Sequence, residues 1–399
     1  MANYYDESDD QDNTFDVTES LKRQVNEQME EEGSTLYSNS NKKKNVNQSK
    51  KKKRKKKHKG LKIFAGILVA LTACCVFLVF TKPGNKVLIK MAAQYISSSV
   101  NNDEPEEDVE IEWTSGKIVG RKEDYVTNIL LLGIEEFGGA RNTDSMMIVS
   151  LNARDCTLQL TSLMRDSYVN VPGWKKTKLN AAYAHGGIEL LKQTIEENYK
   201  IHLDGYASVN FQKFEQIIDM LGGVEIQLGA KEAAYLQKTN YISKKSNRNV
   251  VEGMNTLNGN QALGYCRVRK VPTYDGVNND FGRTLRQRRV LNAVFDKYKS
   301  QNIISLINTT NKCMSSVTTS LKTSQIEKLL NNMVDCNIRT LEQVRIPVDG
   351  AYESPRVYEG VTWPIVYNWE VNIKELYKTI YGDTDEEAAN NYAIQLAAN

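Results

Sequence analysis

The sequence is poor in the residues that bind transition metals. Its 399 residues include three histidines and six cysteines, and neither type occurs at the spacing of a zinc site. Walker A, GxSxG and HExxH motifs do not occur either, which argues against P-loop, serine-hydrolase and zincin chemistry. Cys74 and Cys75 lie in an apolar segment, and the other four cysteines are scattered. A Cys313–Cys336 disulfide would suit an extracytoplasmic domain.

Charge is almost balanced overall but unevenly distributed. Lysine and arginine number 52 against 49 aspartates and glutamates, a formal net charge of +3. The N-terminal residues are acidic and polar without apolar periodicity, which predicts a disordered tail. A basic run from Lys50 to Lys57 follows. After it, Ile63–Phe80 carries no charged residue and no proline, and its length is at the lower end of the range of about 17–25 residues for a membrane-spanning helix.

We interpret this apolar segment as an uncleaved signal-anchor. The lysines before it put the N-terminus in the cytoplasm by the positive-inside rule. This gives a cytoplasmic tail (residues 1–60), a transmembrane helix (61–81) and an extracellular domain at the cell membrane. A cleaved signal peptide, with a shorter apolar region of about 7–15 residues, and a buried core helix are the alternatives. The basic run also resembles a nucleic-acid patch, but its position favours anionic lipid, so no nucleic-acid partner is expected.

The remaining chain alternates between strand and helix patterns. We expect a juxtamembrane helix and linker at 82–123, a catalytic domain at 124–383 and a loose tail at 384–399. Predicted strands are Val126–Leu132, Met146–Leu151, Thr157–Leu163, Val224–Leu228 and Val344–Val348. Predicted helices are Lys86–Val100, Ile188–Tyr199, Phe211–Leu221, Asn258–Tyr265, Thr284–Tyr298 and Asn372–Ile380. The alternation predicts an α/β fold, a three-layer α-β-α sandwich with a central mixed sheet.

Acidic residues follow the first predicted strand, which Gly133 is expected to end. Glu135 comes just after it, and Asp144 comes just before the next strand, with Arg141 between them. Carboxylates at consecutive strand edges can converge on Mg²⁺, which prefers oxygen ligands. Solvated loop charge is the alternative.

Arg165 and Asp166 follow the third predicted strand, at an edge where open α/β sheets bind ligands. The planar guanidinium suits phosphate, and a structural Arg–Asp pair explains the dipeptide equally well. Further along, an extended segment would place Tyr265, Arg267 and Arg269 on one face. Two adjacent arginines repel unless an anion lies between them, and an exposed strand edge is the other interpretation.

An apolar stripe runs along the predicted helix Thr284–Tyr298. At about 100° per residue, Arg283 and Gln287 fall within this stripe, Arg286 lies on its flank, and Arg289 faces solvent. Polar groups aimed inward need partners, and their position near a helix N-terminus favours an anion. A phosphorylated substrate outside the membrane would most naturally be linked to lipid.

Four stretches resemble the LytR-CpsA-Psr family of bacterial cell-envelope proteins. They are Asn128–Ser150, Leu163–Val171 with Lys178–Gly187, Asp219–Val224, and Leu257–Leu291 with its CRVRK and DFGRTLRQRRVL sequences. The resemblance covers about 124–298. It implies a sheet between helices, an apolar groove for a polyprenyl chain, a magnesium ion (with manganese as a substitute) and a ring of arginines around a pyrophosphate.

By motif, the family's functional residues map onto positions of this chain. The implied pyrophosphate contacts are Arg165, Arg267, Arg269, Arg283 and Gln287, with Arg141 and Arg286 as further candidates. Glu135 and Asp144 would bind the metal directly or through water. Asp280 would position Arg283 or the metal shell, and Asp166 would support Arg165. The implied catalytic set is therefore Arg165, Asp166, Arg267, Asp280 and Arg283.

The chain departs from the family pattern at several positions. Glu135 stands where aspartate is common, and Asn142 stands where arginine is common, with Arg141 displaced by one residue. Met164 replaces a usual proline, and Cys266 replaces a small residue such as alanine.

The resemblance implies a phosphotransferase that moves an anionic glycopolymer from an undecaprenyl-pyrophosphate carrier to peptidoglycan, forming a phosphodiester. The polymer could be teichoic acid, capsule or another secondary polymer. The alternatives are a polyprenyl pyrophosphate hydrolase and a non-enzymatic envelope sensor or transcriptional regulator. The expected topology opposes a regulator, because only the tail would reach the cytoplasm.

Overall fold

The computed structural model describes residues 82–98, 101–102, 120–137, 140–299, 312–313 and 315–397. Side chains from 136 to 141 also fall outside the described part. The predicted cytoplasmic tail and transmembrane helix therefore lie outside the described residues. Among the helices that are described, none has the length and apolarity needed to cross a membrane.

The strands and helices alternate through the chain as the sequence predicts. In chain order the strands are β1 (Asn101–Asn102), β2 (Val126–Phe137), β3 (Ala140–Asn152), β4 (Thr157–Leu163), β5 (Tyr168–Asn170), β6 (Lys176–Lys178), β7 (Gly205–Asn210), β8 (Val224–Leu228), β9 (Gly253–Leu257), β10 (Thr318–Thr319), β11 (Glu342–Ile346), β12 (Tyr352–Glu353), β13 (Val357–Tyr358), β14 (Val361–Thr362) and β15 (Val366–Tyr367). The helices are α1 (Lys82–Ser97), α2 (Leu179–Tyr199), α3 (Phe211–Met220), α4 (Ala230–Lys238), α5 (Gly259–Arg267), α6 (Asn279–Lys299), α7 (Thr323–Asp335), α8 (Trp369–Tyr381) and α9 (Asp385–Ala397).

A mixed sheet lies at the centre of the fold. Its described strands run in the order β1-β10-β7-β2-β3-β4-β11. The β7–β2 and β4–β11 pairs are parallel, whereas β2–β3 and β3–β4 are antiparallel. The central strands are apolar on both faces because helices cover both sides of the sheet. The predicted α/β class with a central mixed sheet is confirmed.

The two faces of β2 contribute to different environments. Leu130 and Leu132 belong to a core that the sheet forms with α2, α8 and α9. Leu131 points to the opposite face, where α3, α5 and α6 lie, and lines a cavity there. A second core, centred on Ile226, Leu236 and other residues of β8, β9, α4 and α5, supports those helices from behind.

The first predicted strand is longer than expected. Gly133 does not end it, because β2 continues to Phe137 and pairs with β3 throughout. The register places Gly133 opposite Ser145 and Ile134 opposite Thr143, so Asp144 is the extra residue of a β-bulge. Bulges redirect side chains near binding sites, and this one turns Asp144 toward the cavity.

Residues 384–399 do not form the expected loose tail. Residues Asp385–Ala397 form α9, and Thr384 and Glu387 cap its N-terminus by reciprocal hydrogen bonds. Ala388 is fully buried in the first core. The helix has only a narrow apolar contact, which explains why its sequence lacks a clear stripe.

The Cys313–Cys336 disulfide, which the sequence left open, does not form. Cys336 forms a disulfide with Cys156, and Cys313 is free and buried. Cys156 lies in the β3–β4 turn and Cys336 follows α7, so folding brings together residues that are far apart in sequence. At the other end of the described chain, α1 is the helix predicted at Lys86–Val100; it begins four residues earlier than predicted and buries Ile89, Ala93 and Ile96.

Candidate active site

Charged side chains from three parts of the fold meet at the carboxyl end of β2 and β4. The β2–β3 hairpin supplies Glu135 and, through the bulge, Asp144. Arg165 and Asp166 follow β4 after one intervening residue, Met164. This is the edge at which open α/β sheets bind ligands.

The α5–α6 region supplies the remaining arginines. Arg267 is the last residue of α5, and Arg283 lies in the first turns of α6. Arg269 lies in the segment between the two helices. The exposed fractions of these side chains are 43% for Arg267, 37% for Arg269 and 4% for Arg283. The first two therefore lie at the rim of the site, and the third lies at its base.

Asp144 connects two arginines from different elements. Its Oδ1 is 2.6 Å from Nη1 of Arg165, and its Oδ2 is 3.4 Å from Nη1 of Arg283. At the rim, Arg267 Nη2 lies 3.1 Å from Glu135 Oε1, and the Arg267 guanidinium lies 5.0 Å from the ring centre of Phe211. Each arginine is therefore held in a fixed direction by a carboxylate.

Asp280 has the same role for three arginines. Its carboxylate lies 3.2 Å from Arg269, 3.4 Å from Arg283 and 3.6 Å from Arg165. Burial alone would raise the pKa of Asp280. The charge of Arg283, a hydrogen bond with Asp166 and the charge of Arg165 outweigh burial, so the pKa is lowered. Asp280 is therefore a carboxylate of lowered pKa that positions guanidinium groups.

The electrostatics of the arginines differ with depth. Burial lowers the pKa of Arg283, and the positive charges of Arg165 and Arg269 act in the same direction. Burial also acts to lower the pKa of Arg165, but Asp144 and Asp280 outweigh it and the net shift is upward. The Nε atoms of both arginines and Oε1 of Gln287 are buried and lack a hydrogen-bond partner within the described part of the chain. The two Nε atoms are unused donors, which are suited to an anionic ligand, whereas Oε1 of Gln287 is an acceptor.

A single cavity of 460 Å³ joins this cluster to an apolar space. Its charged and amide side chains are Asp144, Arg165, Arg267, Arg269, Arg283 and Gln287. Its apolar wall comes from the sheet and from α3, α5 and α6 and includes Leu131, Ala207, Val209, Phe211, Phe214, Leu263 and Leu291. Such a cavity matches a ligand with an anionic head and an apolar body.

The profile of the LytR_cpsA_psr family matches residues 86–373, which is most of the chain. The chain belongs to the LytR_cpsA_psr family. The resemblance seen in the sequence is therefore confirmed.

Relatives in this family have transferase names. The chain is 32% identical over 255 residues to the polyisoprenyl-teichoic acid–peptidoglycan teichoic acid transferase TagU of Enterococcus faecalis (strain ATCC 700802 / V583), a match that covers 62% of this chain and 75% of the relative. It is 31% identical over 226 residues to TagU of Bacillus anthracis, covering 56% of this chain and 69% of the relative.

Solved structures of the family share the fold. B. subtilis TagV aligns with a TM-score of 0.52 and 26% identity, covering 67% of this chain and 99% of TagV. TagT bound to LIIa-WTA aligns with a TM-score of 0.52 and 26% identity, covering 67% of this chain and 97% of TagT.

The structure brings together most of the residues that the LytR_cpsA_psr motifs indicate. Arginines 165, 269 and 283 form one ion-pair network with the carboxylates of residues 144, 166 and 280. Arg267 forms a separate pair with Glu135 at the rim of the same cavity. Gln287 lines the same cavity, as its position in the apolar stripe predicts. The side chain of Arg141 lies outside the described residues. The register pairs Asn142, rather than Arg141, with Glu135.

Arg286 is not at the site, contrary to the prediction. Its side chain is fully buried, and its Nε lies 2.7 Å from Glu232. Its Nη atoms donate to the carbonyl oxygens of Val268 and Val271. Arg286 therefore holds the segment that carries Arg269 against α6. It does not reach the cavity because its side of α6 faces α4.

Two further side chains of this region have environments that the sequence did not predict. Tyr265 lies in α5, as the predicted helix Asn258–Tyr265 has it, and the helix continues to Arg267, so the extended alternative does not form. Tyr265 is fully buried in the second core, while Arg267 reaches the rim. Arg289 does not face solvent freely, since its side chain is 17% exposed and lies 2.6 Å from Asp275. In both cases a packed neighbour, absent from a helical projection, decides the environment.

Lys178 belongs to the site although sequence analysis did not select it. Its Nζ is 2.9 Å from Oδ1 of Asp166. It is the last residue of β6, which pairs with β5 just beyond the site. The sequence signal was its place at the start of the family stretch KLNAAYAHGG.

The carboxylates of Glu135 and Asp144 fit magnesium by their chemistry, but a preformed cage is not present among the described residues. No group of three or more histidine, cysteine, aspartate or glutamate side chains there is arranged to hold a metal. Magnesium commonly uses one or two protein carboxylates and completes its shell with water and substrate phosphates. The donor set is therefore compatible with a metal that arrives with its phosphorylated substrate.

Proposed function

We propose that this protein transfers an anionic glycopolymer from an undecaprenyl-pyrophosphate carrier to peptidoglycan. The observation that carries the proposal is the single cavity in which an apolar wall adjoins Arg165, Arg267, Arg269 and Arg283. A lipid pyrophosphate has the matching chemistry, and relatives named as teichoic acid transferases support the choice of reaction.

In the proposed reaction, a peptidoglycan hydroxyl attacks the phosphorus attached to the glycopolymer. A new phosphodiester forms, the pyrophosphate P–O bond breaks, and polyprenyl phosphate leaves, while the hydroxyl proton passes to a base. The arginines stabilise the negative charge that develops on the leaving phosphate, which is the main task in phosphoryl transfer. Asp280 positions three of these arginines, and its lowered pKa makes it a poor proton acceptor.

Magnesium is part of the proposal, with manganese as a substitute. Asp144 lines the cavity, and Glu135 lies at its rim beside Arg267. These two carboxylates would hold the ion, which when bound would neutralise phosphate charge. The proposal also places the domain on the extracellular side of the cell membrane, attached through a single anchor at Ile63–Phe80, because a lipid carrier and peptidoglycan meet there.

The test is an in-vitro ligation of a lipid-pyrophosphate glycan to peptidoglycan. We expect Arg267→Ala to reduce ligation by about 100-fold or more, comparable to the loss of one preorganised donor to a developing anion. Arg339→Ala is the matched control, because the side chain of this exposed arginine hydrogen-bonds, within the described residues, to its neighbour Asn337. Full ligation by folded Arg267→Ala would contradict the proposal. Lipid pyrophosphate cleavage that is unchanged by omitting peptidoglycan would instead indicate a hydrolase.

A further inference from the structure

A second pair of arginines lies outside the cavity. Arg288, on α6, is 8% exposed, and its Nη1 donates to Oγ of Ser162 at 2.9 Å. Its Nε is buried without a hydrogen-bond partner in the described part of the chain. Among the described residues, no carboxylate forms an ion pair with Arg288. A guanidinium has five N–H donors, so a buried one with a single bond to a hydroxyl is poorly satisfied.

The second member of the pair is Arg345 on β11. Arg345 and Ser162 are register partners in the parallel β4–β11 pair, so their side chains leave the same face of the sheet. The Arg345 guanidinium lies 4.3 Å from the ring centre of Phe281 and forms an ion pair with Asp349. The Arg345 side chain is 16% exposed, whereas that of Asp349 is 90% exposed. The pair is therefore reached from solvent past Asp349.

The two arginines affect each other electrostatically. Burial lowers the pKa of Arg288 to about 10, and the charges of Arg345 on β11 and Arg289 on α6 contribute in the same direction. The carboxylate of Asp275 forms an ion pair with Arg289 and not with Arg288. A buried cation that faces only other cations is costly unless an anion compensates it.

This pair is separate from the pyrophosphate cavity. Neither Arg288 nor Arg345 lines that cavity. Arg288 is five residues beyond Arg283 on α6, which places it roughly 7.5 Å further along the helix and about 140° around it. The pair therefore faces the β4–β11 edge of the sheet, while Arg283 faces the cavity.

We propose that Arg288 and Arg345, with the hydroxyl of Ser162, form a second anion site that binds a phosphate group. Two guanidinium groups match the oxygens of a phosphate. Of the two arginines, the exposed Asp349 carboxylate contacts Arg345 alone. An ion pair with so exposed a partner contributes little to stability. A phosphate that contacts both arginines displaces this carboxylate. The phosphate comes either from solution or, if the proposed function holds, from a phosphodiester of the polymer.

The experiment measures the melting temperature of the purified full-length protein with inorganic phosphate or a glycerol-phosphate oligomer, each against sodium chloride of equal ionic strength. We expect a rise of about 2–4 °C for the wild type at saturation. Arg345→Gln, at the exposed side of the site, should lose this rise. Arg288→Met should also lose it, and it should melt higher than the wild type without phosphate because it removes an uncompensated buried charge. Arg339→Gln is the control and should respond like the wild type.

Arg267→Ala separates this site from the cavity, because it alters the pyrophosphate site alone. Retention of the rise in Arg267→Ala and its loss in Arg345→Gln support the second site, whether or not ligation is detected. A response to the oligomer but not to inorganic phosphate supports the site and assigns it to the polymer. A rise in Arg345→Gln as large as that of the wild type, or no rise with either probe, overturns the inference.

Discussion

Arg283 and Arg289 show how much a helical projection can resolve at the level of single residues. The phase of α6 correctly selected Arg283 and Gln287, because the cavity lies on the same side as the apolar stripe. It was wrong for Arg286 and Arg289, whose environments depend on Glu232 and Asp275 from other parts of the chain. Partners contributed by distant segments are not encoded in one helix's periodicity.

Asp280 should make the stability of the site depend on acid. Its folded-state pKa is lowered, so its contribution is fully present above its unfolded value of about 3.9 and is lost as pH falls through the lower folded value. We expect Asp280→Asn to lower the free energy of unfolding at pH 7 by about 1–3 kcal/mol, with a shallower loss below about pH 4. Urea denaturation across pH measures both quantities.

The matched control for this change is Asp335→Asn, at an exposed position at the end of α7. It should leave both the stability at pH 7 and the acid limb unchanged. If Asp280→Asn lost stability below pH 4 in parallel with the wild type, the ion pairs of Asp280 would not be the source of the acid dependence.

At the scale of elements, the order of strands and helices was predictable, but several boundaries and all pairings between distant elements were not. The apolar run of β2 identified a central strand, yet the Asp144 bulge depends on the register with β3. Likewise, the sequence indicated helices at α5 and α6. The buried ion pair between Arg286 and Glu232 fixes the position of the segment between α5 and α6. Glu232 lies on a third helix, α4, which the patterns of α5 and α6 do not indicate.

Removing Glu232 tests this structural role. Glu232→Ala leaves the fully buried Arg286 without its counter-charge, and we expect a loss of about 3–5 kcal/mol in the free energy of unfolding. Ligation per folded molecule should fall far less than with Arg267→Ala, because neither residue lines the cavity. Glu225→Ala, at an exposed position on β8, is the control.

Denaturation curves and ligation rates, measured on the same preparations, distinguish the two roles. A stable Glu232→Ala protein that had lost ligation would show that this pair acts on the substrate and not on packing.

At the scale of the whole molecule, the fold class and the family followed from the sequence, whereas the contacts between residues far apart in sequence did not. The Cys156–Cys336 disulfide links the β3–β4 turn to the end of α7 across 180 residues of sequence. Arg121 similarly pairs with Asp383 at 2.6 Å and brings the two ends of the domain together. Contacts of this range depend on the complete topology, which local patterns do not specify.

The disulfide should contribute measurably to stability. We expect Cys156→Ser to lower the free energy of unfolding by about 2–5 kcal/mol under oxidising conditions. Cys313→Ser, at the free buried cysteine, should cause a much smaller change. Chemical denaturation with and without reductant measures the effect, and peptide mapping without reductant identifies the linked pair. Equal effects of the two variants, or a link between Cys313 and Cys336, would disprove the assignment.

The central claim is that one cavity holds both the pyrophosphate and the lipid of a polyprenyl carrier. Mass spectrometry of lipids co-purified with the protein tests it most directly, with Arg283→Gln as the matched variant because Arg283 is the most deeply buried arginine of the cavity. The account predicts polyprenyl pyrophosphate, free or glycan-linked, with the wild type and a strong depletion of it with Arg283→Gln. Recovery of phosphate-free lipid alone, or equal amounts of polyprenyl pyrophosphate from both proteins, would contradict it.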